Sequence, residues 1–288
     1  MQNIKQYEVL QWASLFLKKY ECEPKVAELL LQHHLNVSRT QFFAQMREPI
    51  SDGVVQAFKR DVKKHVETGI PIQHLMGYEQ FFGRHFYVNK HVLIPRFETE
   101  ELVQRVIEHT RKTFVKNKPV TIVDVGTGSG VIAVTLALEL DNAIVYATDI
   151  STEALAVAQQ NAKQLGADVT FLEGDFLQPF IDEAQRAQII VSNPPYIAMS
   201  ERDELCDTVK NFDPPIALFA DGNGLAAYQT IISQLPQAIA ARGHLFFEIG
   251  HTQGRKVTSL LQESFPRSEV TIYKDMNKKD RIISCQLL

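Results

Sequence analysis

Short apolar runs that alternate with helical patterns fill the chain from about residue 120 onward, and this alternation constrains the fold most strongly. Strands are predicted at 120–125, 144–149, 169–173, 188–193, 243–248, 269–274 and 281–287. Helices are predicted near 129–139, 152–165, 225–241 and 253–264. Such alternation is typical of an α/β domain with a mostly parallel, doubly wound sheet. Since too few residues separate the last two runs for a helical crossover, one of those strands is expected to be antiparallel.

The first 72 residues carry a purely helical pattern. Apolar side chains recur there at steps of three and four residues, as at Leu10, Ala13 and Leu17. Ser38 and Ser51 are candidate N-caps. The sequence therefore predicts a small helical bundle as a separate domain over residues 1–72.

A β-branched and aromatic segment connects the two patterns. It predicts a linker with a β-hairpin over residues 73–95, whose turn is expected at Asn89-Lys90. The α/β domain is then expected over 96–288. A helix is predicted soon after Pro95 and through about Thr110, with Arg96 and Glu98 preceding it and facing the cleft.

Composition limits the class of protein and its partners. The 288 residues are 45% hydrophobic and 22% charged, which is ordinary for a globular protein. A net charge of −4 gives no overall attraction to a phosphate backbone, so no stable nucleic-acid binding is expected. The three cysteines are widely separated and match no metal or redox spacing. Without a signal-peptide pattern or an apolar run of membrane length, the protein is expected to be cytoplasmic and to have no membrane contact. It is also expected to be a monomer and to hold no metal.

A glycine-rich turn follows the first strand of the alternating half. The stretch Gly126-Thr127-Gly128-Ser129-Gly130 leads directly into a helical pattern, which is where backbone amides bind ligands. A P-loop would need a Gly-Lys-Ser/Thr sequence, and no lysine is present. The dinucleotide fingerprint needs a third glycine where this chain has Val131. The remaining interpretation is an Asp-x-Gly-x-Gly-x-Gly turn that begins at Asp124.

Acidic residues end the next two strands. Asp149 ends the second strand, where a carboxylate can bind both ribose hydroxyls. Asp175 and Phe176 follow the third strand and offer a carboxylate for an exocyclic amine and a ring for a base. These acids suit an adenosine without a pyrophosphate, because they would repel phosphates and tolerate a sulfonium. The combined pattern resembles that of S-adenosylmethionine enzymes, so the predicted cofactor is S-adenosylmethionine.

The fourth strand ends abruptly in Asn193-Pro194-Pro195-Tyr196. Two prolines can neither extend a central strand nor enter a helix there, so the backbone is expected to form a stiff lip at the carboxyl edge of the sheet. The segment resembles the motif of methyltransferases that modify a planar nitrogen, so we expect the Asn193 side-chain oxygen and the Pro194 carbonyl to accept the two N–H bonds of such a nitrogen. This would direct the nitrogen lone pair at the methyl group. Pro195 and Tyr196 would pack against the planar group that carries this nitrogen.

Motifs along nearly the whole chain resemble those of the peptide chain release factor N5-glutamine methyltransferase family. The similar stretches are Pro71–Gly77, Phe81–Gly83, Val92–Glu100, Asn193–Tyr196, Phe212–Leu218 and Asp221–Leu225 with Tyr228, and Lys274-Asp275 with Arg281. The resemblance implies a class I S-adenosylmethionine-dependent methyltransferase fold, which is Rossmann-like. It also implies that the helical domain docks on class I release factors, the protein substrates, and that the glutamine of their Gly-Gly-Gln motif is methylated at N5 in support of translation termination.

Carried over by position, the resemblance assigns roles to individual residues. Cofactor binding falls to Gly126, Thr127, Gly128, Ser129, Gly130, Asp149, Asp175, Phe176 and Asn193. Substrate binding falls to Asn193, Pro194, Pro195 and Tyr196, of which Asn193, Pro194 and Tyr196 are the expected catalytic residues. The chain departs from the family pattern at Phe97, usually proline, at Asp213, usually glutamate, and at Lys278, commonly glycine.

Three other functions share parts of this pattern. A glutamine methyltransferase that modifies a ribosomal protein would have the same active site and different docking surfaces. An adenine-N6 methyltransferase would need a basic groove interleaved with aromatics, which the composition does not favour. A non-catalytic cofactor-binding module would have no need of an intact Asn-Pro-Pro-Tyr segment.

Overall fold

The computed structural model describes residues 4–116 and 118–287 of the 288-residue chain. These residues form two compact units. The first holds the described residues up to Gly77 together with Asp207–Phe212. The second holds Tyr78–Cys206 and the described residues from Asp213 onward. Within the described ranges, no helix combines the length and the apolar character needed to cross a membrane.

The first unit is helical, as predicted. Its helices are α1 (Gln6–Lys19), α2 (Lys25–Leu35), α3 (Arg39–Ala44), α4 (Asp52–Thr68) and α5 (Ile72–Met76), with the later segment α10 (Asp207–Phe212). Both predicted N-caps are confirmed, since the Ser38 and Ser51 hydroxyls accept hydrogen bonds from the backbone amides of Gln41 and Val54. The apolar positions of α1 to α5 face a common core that includes Ala13, Leu17 and Phe58.

The second unit contains a small hairpin and a large sheet. The strands of the described residues are β1 (Tyr78–Phe81), β2 (Arg84–Tyr87), β3 (Val120–Val125), β4 (Ala143–Asp149), β5 (Val169–Glu173), β6 (Ala187–Ser192), β7 (Ile239–Glu248), β8 (Glu269–Lys274) and β9 (Asp280–Gln286). Seven of them form one sheet in the order β5-β4-β3-β6-β7-β9-β8. Strands β3 to β7 are parallel and β9 is antiparallel to both neighbours, which confirms the predicted seven-stranded, mostly parallel sheet.

Helices cover both faces of this sheet. Those that contribute buried side chains to the two apolar clusters are α6 (Phe97–Thr113), α7 (Val131–Glu139), α8 (Thr152–Leu165), α9 (Gln178–Asp182), α13 (Ala226–Ala238) and α14 (Gly254–Ser264). The unit also contains the short helices α11 (Pro215–Leu218) and α12 (Asp221–Gly224) and a 3-10 helix at Met199–Glu204. Strand β6 contributes Ile189 and Val191 to one apolar cluster and Ile190 to the other. A strand that is buried on both faces is continuously apolar, and this is why its sequence shows no alternation.

The predicted position of the hairpin turn was wrong. Strands β1 and β2 pair around Phe82-Gly83, and not around Asn89-Lys90. Phe82 and Gly83 have φ angles of +50° and +74°, the two consecutive positive values that a tight hairpin turn requires. The Asn89 side chain instead accepts a hydrogen bond from the His91 amide at 2.9 Å, closing a local turn after the hairpin.

Lys278 lies in the turn between β8 and β9 with a φ angle of +62°. This is the family departure at which glycine is common, and a side chain in the left-handed region costs roughly 1–2 kcal/mol. Lys278→Gly is therefore expected to raise the free energy of unfolding by about 0.5–1 kcal/mol after the added flexibility of the unfolded chain is subtracted. Urea denaturation followed by circular dichroism measures the change.

The neighbouring Lys279 provides the matched control. It is also exposed, but it lies outside the residues with positive φ, and its amide donates a hydrogen bond to Asp275 Oδ1. Lys279→Gly should lower stability by about 0.5–1 kcal/mol, the usual cost of glycine at an ordinary backbone position. Equal effects of the two variants would contradict the strain argument.

Candidate active site

The glycine-rich turn connects β3 to α7 at the carboxyl edge of the sheet. Gly126, Gly128 and Gly130 have φ angles of +70°, +56° and +81°, a region that side-chain-bearing residues rarely adopt. A Cβ built on Gly126 or Gly128 would meet no atom within 4 Å, so open space lies beside both residues. A Cβ on Gly130 would lie 3.0 Å from that of Ala158, so this glycine allows α7 and α8 to approach closely.

Asp124, near the end of β3, holds the glycine-rich turn in place. Its fully buried Oδ2 accepts hydrogen bonds from the Thr127 hydroxyl at 2.6 Å and from the Ala133 amide at 3.2 Å. The bonds tie the turn to the first turn of α7. Burial raises the pKa of the Asp124 carboxyl to about 7, although both hydrogen bonds oppose the shift. The shape of the turn thus depends on a carboxyl group that does not line the cleft.

Asp149 ends β4 beside the turn. Its Oδ2 accepts a hydrogen bond from the Gly128 amide at 2.8 Å, and its Oδ1 accepts one from the Ser151 amide at 2.9 Å. Burial raises the pKa of this carboxyl, and these backbone amides counteract the rise. Each carboxylate oxygen has a further lone pair, so the anchored group can still accept hydrogen bonds from a ligand.

Asp175 and Phe176 follow β5 on the same edge. Phe176 has a φ angle of +46°, and the Gly174 amide before it donates to the Asp149 carbonyl at 2.9 Å. A positive φ at a bulky residue is costly and is found mainly at functional sites. Asp175 is exposed and Phe176 is half-buried, and both line the same cleft as Asp149.

Asn193 is the first residue of the lip, the segment Asn193–Tyr196 that follows β6. Its Nδ2 donates to the Thr99 hydroxyl at 3.2 Å, and the Thr99 hydroxyl donates to Glu248 Oε2 at 2.7 Å. The Asn193 Oδ1 atom is buried and has no hydrogen-bond partner among the described residues. A buried acceptor without a partner is costly, and such atoms in folded proteins call for an explanation, for which a bound ligand is one candidate.

The rear of the lip is supported by residues far along the chain. Gln253 Nε2 donates to the Tyr196 carbonyl at 2.8 Å and to the Gly224 carbonyl at 3.3 Å. The Ile197 amide donates to the Leu218 carbonyl at 3.0 Å. Burial raises the pKa of the Tyr196 phenol to about 12, so the hydroxyl stays protonated at neutral pH.

Gly224 lies directly against this support. It has a φ angle of +78°, and a Cβ at this position would lie 2.2 Å from the Tyr196 carbonyl oxygen and 2.9 Å from Gln253 Nε2. Gly224→Ala should therefore displace the lip and lower turnover at this site by about tenfold or more, since small misplacements of a reacting group are costly. Steady-state turnover measures this effect. Gly222→Ala is the control, because its φ is also positive and its Cβ would meet only ordinary contacts. Equal turnover of both variants would contradict the role of close packing.

One cleft of about 320 Å³ brings most of the predicted residues together. Its lining includes the predicted Gly126, Thr127, Gly128, Ser129, Asp149, Asp175, Phe176, Asn193 and Pro195. Gly130, Pro194 and Tyr196 lie outside this lining. The roles assigned to all of these residues remain predictions.

The cleft also contains residues to which the sequence assigned no role. Thr99 lines it from the first turn of α6, and Ile150 and Ser151 line it beyond β4. Arg96 lines it as expected and forms a 2.7 Å ion pair with the buried Asp213. The prediction that Glu98 precedes the helix was wrong. Helix α6 begins at Phe97, and an acidic side chain in a first turn interacts favourably with the helix dipole.

Comparison with known proteins places the chain in a family. Residues 8–77 match the model of the PrmC N-terminal domain, and residues 106–212 match that of the methyltransferase small domain. The Bacillus cereus release factor glutamine methyltransferase is 44% identical over 98% of this chain and 99% of that protein. The chain belongs to the release factor glutamine methyltransferase family. The Bacillus subtilis member is 45% identical over 98% of this chain and 97% of its own.

Solved structures outside this family share the fold. The hMettl16 catalytic domain in complex with a 3′UTR hairpin has a TM-score of 0.53 at 14% identity, covering 84% of this chain and 83% of its own. A T. thermophilus 16S rRNA methyltransferase in complex with AdoMet and guanosine has a TM-score of 0.52 at 15% identity, covering 73% of this chain and 50% of its own. At these identities the likeness concerns the α/β methyltransferase fold alone.

Proposed function

We propose that this chain transfers a methyl group from S-adenosylmethionine to the side-chain amide nitrogen of the glutamine in the Gly-Gly-Gln motif of class I release factors. The observation that carries the proposal is the buried, unpartnered Asn193 Oδ1 in the cleft of a chain from this family. A primary amide presents N–H donors that match such an acceptor. Release factors act in translation, so the reaction belongs in the cytoplasm.

The residues of the cleft fit the proposed cofactor. Open space beside Gly126 and Gly128 admits a ligand close to the backbone. Asp149 offers carboxylate lone pairs to ribose hydroxyls, and Phe176 offers a ring face to the base. Acidic groups at this edge favour a sulfonium over a phosphate, since Asp149 and Asp175 are negative when ionised. When bound, S-adenosylmethionine supplies an electrophilic methyl group on a positively charged sulfur.

The chain would contribute by orienting the acceptor nitrogen. The lone pair of an amide nitrogen is delocalised, so the nitrogen is a poor nucleophile. Hydrogen bonds to Asn193 Oδ1 and the Pro194 carbonyl hold its two protons and stabilise positive charge as it develops. Methyl transfer would form a nitrogen–carbon bond and break the carbon–sulfur bond of the cofactor, with the electron pair of that bond leaving on sulfur and one amide proton passing to water.

The remaining parts of the lip and the first unit complete the proposal. Pro195 and Tyr196 wall the flat amide, and the helical first unit docks on the release factor. We propose that the chain acts as a monomer.

Methyl transfer from labelled S-adenosylmethionine tests the proposal. The substrates are purified unmethylated release factor and a variant in which the Gly-Gly-Gln glutamine is alanine, with ribosomal proteins and total RNA run beside them. We expect one methyl on the wild-type release factor, located at that glutamine by mass spectrometry, and none on the variant. Label confined to a ribosomal protein or RNA would overturn the substrate and leave the cofactor in place.

A further inference from the structure

A chain of two hydrogen bonds runs from Asn193 into the protein. It connects three segments that are remote in sequence: the lip after β6, the first turn of α6 and the end of β7. Asn193 Nδ2 lies 3.2 Å from Thr99 Oγ1, which lies 2.7 Å from Glu248 Oε2. Thr99 and Glu248 are only 3% and 2% exposed, so water does not compete for these contacts.

The chemistry of the three groups sets the direction of the chain. A carboxylate can only accept, so the single hydroxyl hydrogen of Thr99 points to Glu248. The Thr99 oxygen then presents a lone pair to Asn193, and only the amide NH2 can donate to it. The Asn193 oxygen therefore has no partner in this chain of hydrogen bonds, and it is the buried atom without a hydrogen-bond partner among the described residues.

We propose that Thr99 and Glu248 are positioning residues that keep the oxygen of the Asn193 carboxamide, and not its NH2 group, available to the substrate amide. This inference rests on the proposed function and adds to it the residues that set the polarity of the acceptor. If Glu248 gained a proton, it would donate to Thr99, and the Thr99 hydroxyl would donate in turn. The Asn193 carboxamide would then rotate so that its oxygen accepts from Thr99, and its NH2 group would face the N–H donors of the substrate.

The surroundings of Glu248 allow its carboxyl to gain a proton near neutral pH, which would reverse the direction of these hydrogen bonds. Burial raises the pKa of its carboxyl to about 7, while the Thr99 hydrogen bond and the charges of Arg281 and Arg96 oppose the rise and Glu98 adds to it. The phenols of Tyr196 and Tyr228 also interact with this group, but both have pKa values above the range concerned. The carboxylate therefore predominates above about pH 7, and methyl transfer should increase as the pH rises through this value.

Kinetics of the full chain provide the first test. Thr99→Val removes the hydroxyl at nearly constant volume and should lower kcat about tenfold or more, with KM for both substrates within about threefold. Thr99→Ser restores the hydroxyl and should recover most of kcat. Thr135→Val is the control, since it removes a buried hydroxyl of α7 that makes no hydrogen bond to the described residues. The part of the inflection near pH 7 that comes from Glu248 should be absent in Thr99→Val and in Glu248→Gln, whereas any part from Asp124, whose pKa is also about 7, should remain in both.

Two outcomes of the kinetic test would overturn the proposal. In one, Thr99→Val turns over as fast as wild type. In the other, Thr99→Ser is as slow as Thr99→Val while both retain wild-type KM values, because a role confined to the hydroxyl requires rescue by serine.

Nuclear magnetic resonance tests the same arrangement without any substrate, so it separates this inference from the proposed function. The side-chain amide signals of Asn193, assigned by their loss in Asn193→Ala, should shift with an inflection near pH 7 in the wild-type chain. The shift should vanish in Thr99→Val and Glu248→Gln and persist in Thr135→Val. A pH-independent Asn193 signal in the wild type would overturn the inference even if methyl transfer is found. A wild-type chain that shows the shift but methylates no release factor would overturn only the proposed function.

Discussion

Asn193→Ala is expected to lower kcat for methyl transfer on the order of a hundredfold or more, because it removes a preorganised acceptor for the charge that develops on the substrate nitrogen. Its Kd for S-adenosylmethionine should stay within about threefold of wild type, since the glycine-rich turn and Asp149 carry most cofactor contacts in the proposed site. Single-turnover kinetics give the first quantity and calorimetric titration gives the second. A loss confined to the chemical step is what distinguishes an orienting group from one that only binds.

Asn142 provides a control for the loss of an asparagine side chain. It lies just before β4, at the opposite end of that strand from the cleft, and its Nδ2 donates to the Lys118 carbonyl at 2.8 Å. Asn142→Ala should leave kcat within about threefold of wild type. Turnover by Asn193→Ala at the wild-type rate would refute the proposed orientation of the substrate amide.

The positions of the strands along the chain and the ligand edge of the sheet could be predicted because they depend on local patterns. The bounds predicted for 120–125, 169–173 and 269–274 are those of β3, β5 and β8. Parallel strands that are covered on both faces appear as apolar runs, and glycine or an acid at the end of each run marks the carboxyl edge. The side chains that the sequence predicts to meet at this edge mostly do so.

The support of the site could not be predicted from local patterns. Thr99 is separated from Asn193 by 94 residues and from Glu248 by 149, so their contacts depend on how α6 packs across the sheet. The sequence does carry a signal at Glu248. This residue ends an apolar strand as Asp149 does, and a buried acid at that position needs a partner.

Turn chemistry accounts for the other difference. The sequence pair Asn89-Lys90 is a plausible turn, whereas in Phe82-Gly83 only the glycine is typical of a turn with positive φ angles. A phenylalanine with positive φ is tolerated because the flanking Phe81 and Phe86 are buried in the core, so the register of the strands outweighs the preference of the turn residue.

The departure from the family at Asp213 is accommodated by local contacts. The shorter carboxylate is 4% exposed, accepts from Arg96 Nη2 at 2.7 Å and lies 3.4 Å from the Ile94 amide. Arg96 also lines the cleft, so the ion pair with Asp213 fixes a cationic side chain at the rim of the cleft. The difference of one methylene thus leaves the ion pair in place.

Asp149→Ala is expected to weaken S-adenosylmethionine binding on the order of a hundredfold or more. In the proposed site its carboxylate accepts two ribose hydroxyl hydrogen bonds, and bonds to a charged acceptor contribute about 1.5–3 kcal/mol each. At about 1.4 kcal/mol per factor of ten, the loss of both gives at least a hundredfold change in Kd. The substitution also frees the Gly128 amide, so the turn itself becomes less ordered.

A second acid at the same edge shows whether the effect is specific to ribose recognition. Glu173 ends β5, is exposed, accepts a hydrogen bond from the Thr152 hydroxyl at 3.2 Å and lies outside the cleft lining. Glu173→Ala removes one negative charge close to Asp149, so it changes the local potential without removing a proposed ligand contact. If binding depends on hydrogen bonds from Asp149, calorimetry will find the Kd of Glu173→Ala within about threefold of wild type. If both variants weaken binding equally, attraction between the acidic edge and the sulfonium charge is the dominant contribution, and the assignment of Asp149 to the ribose must be abandoned.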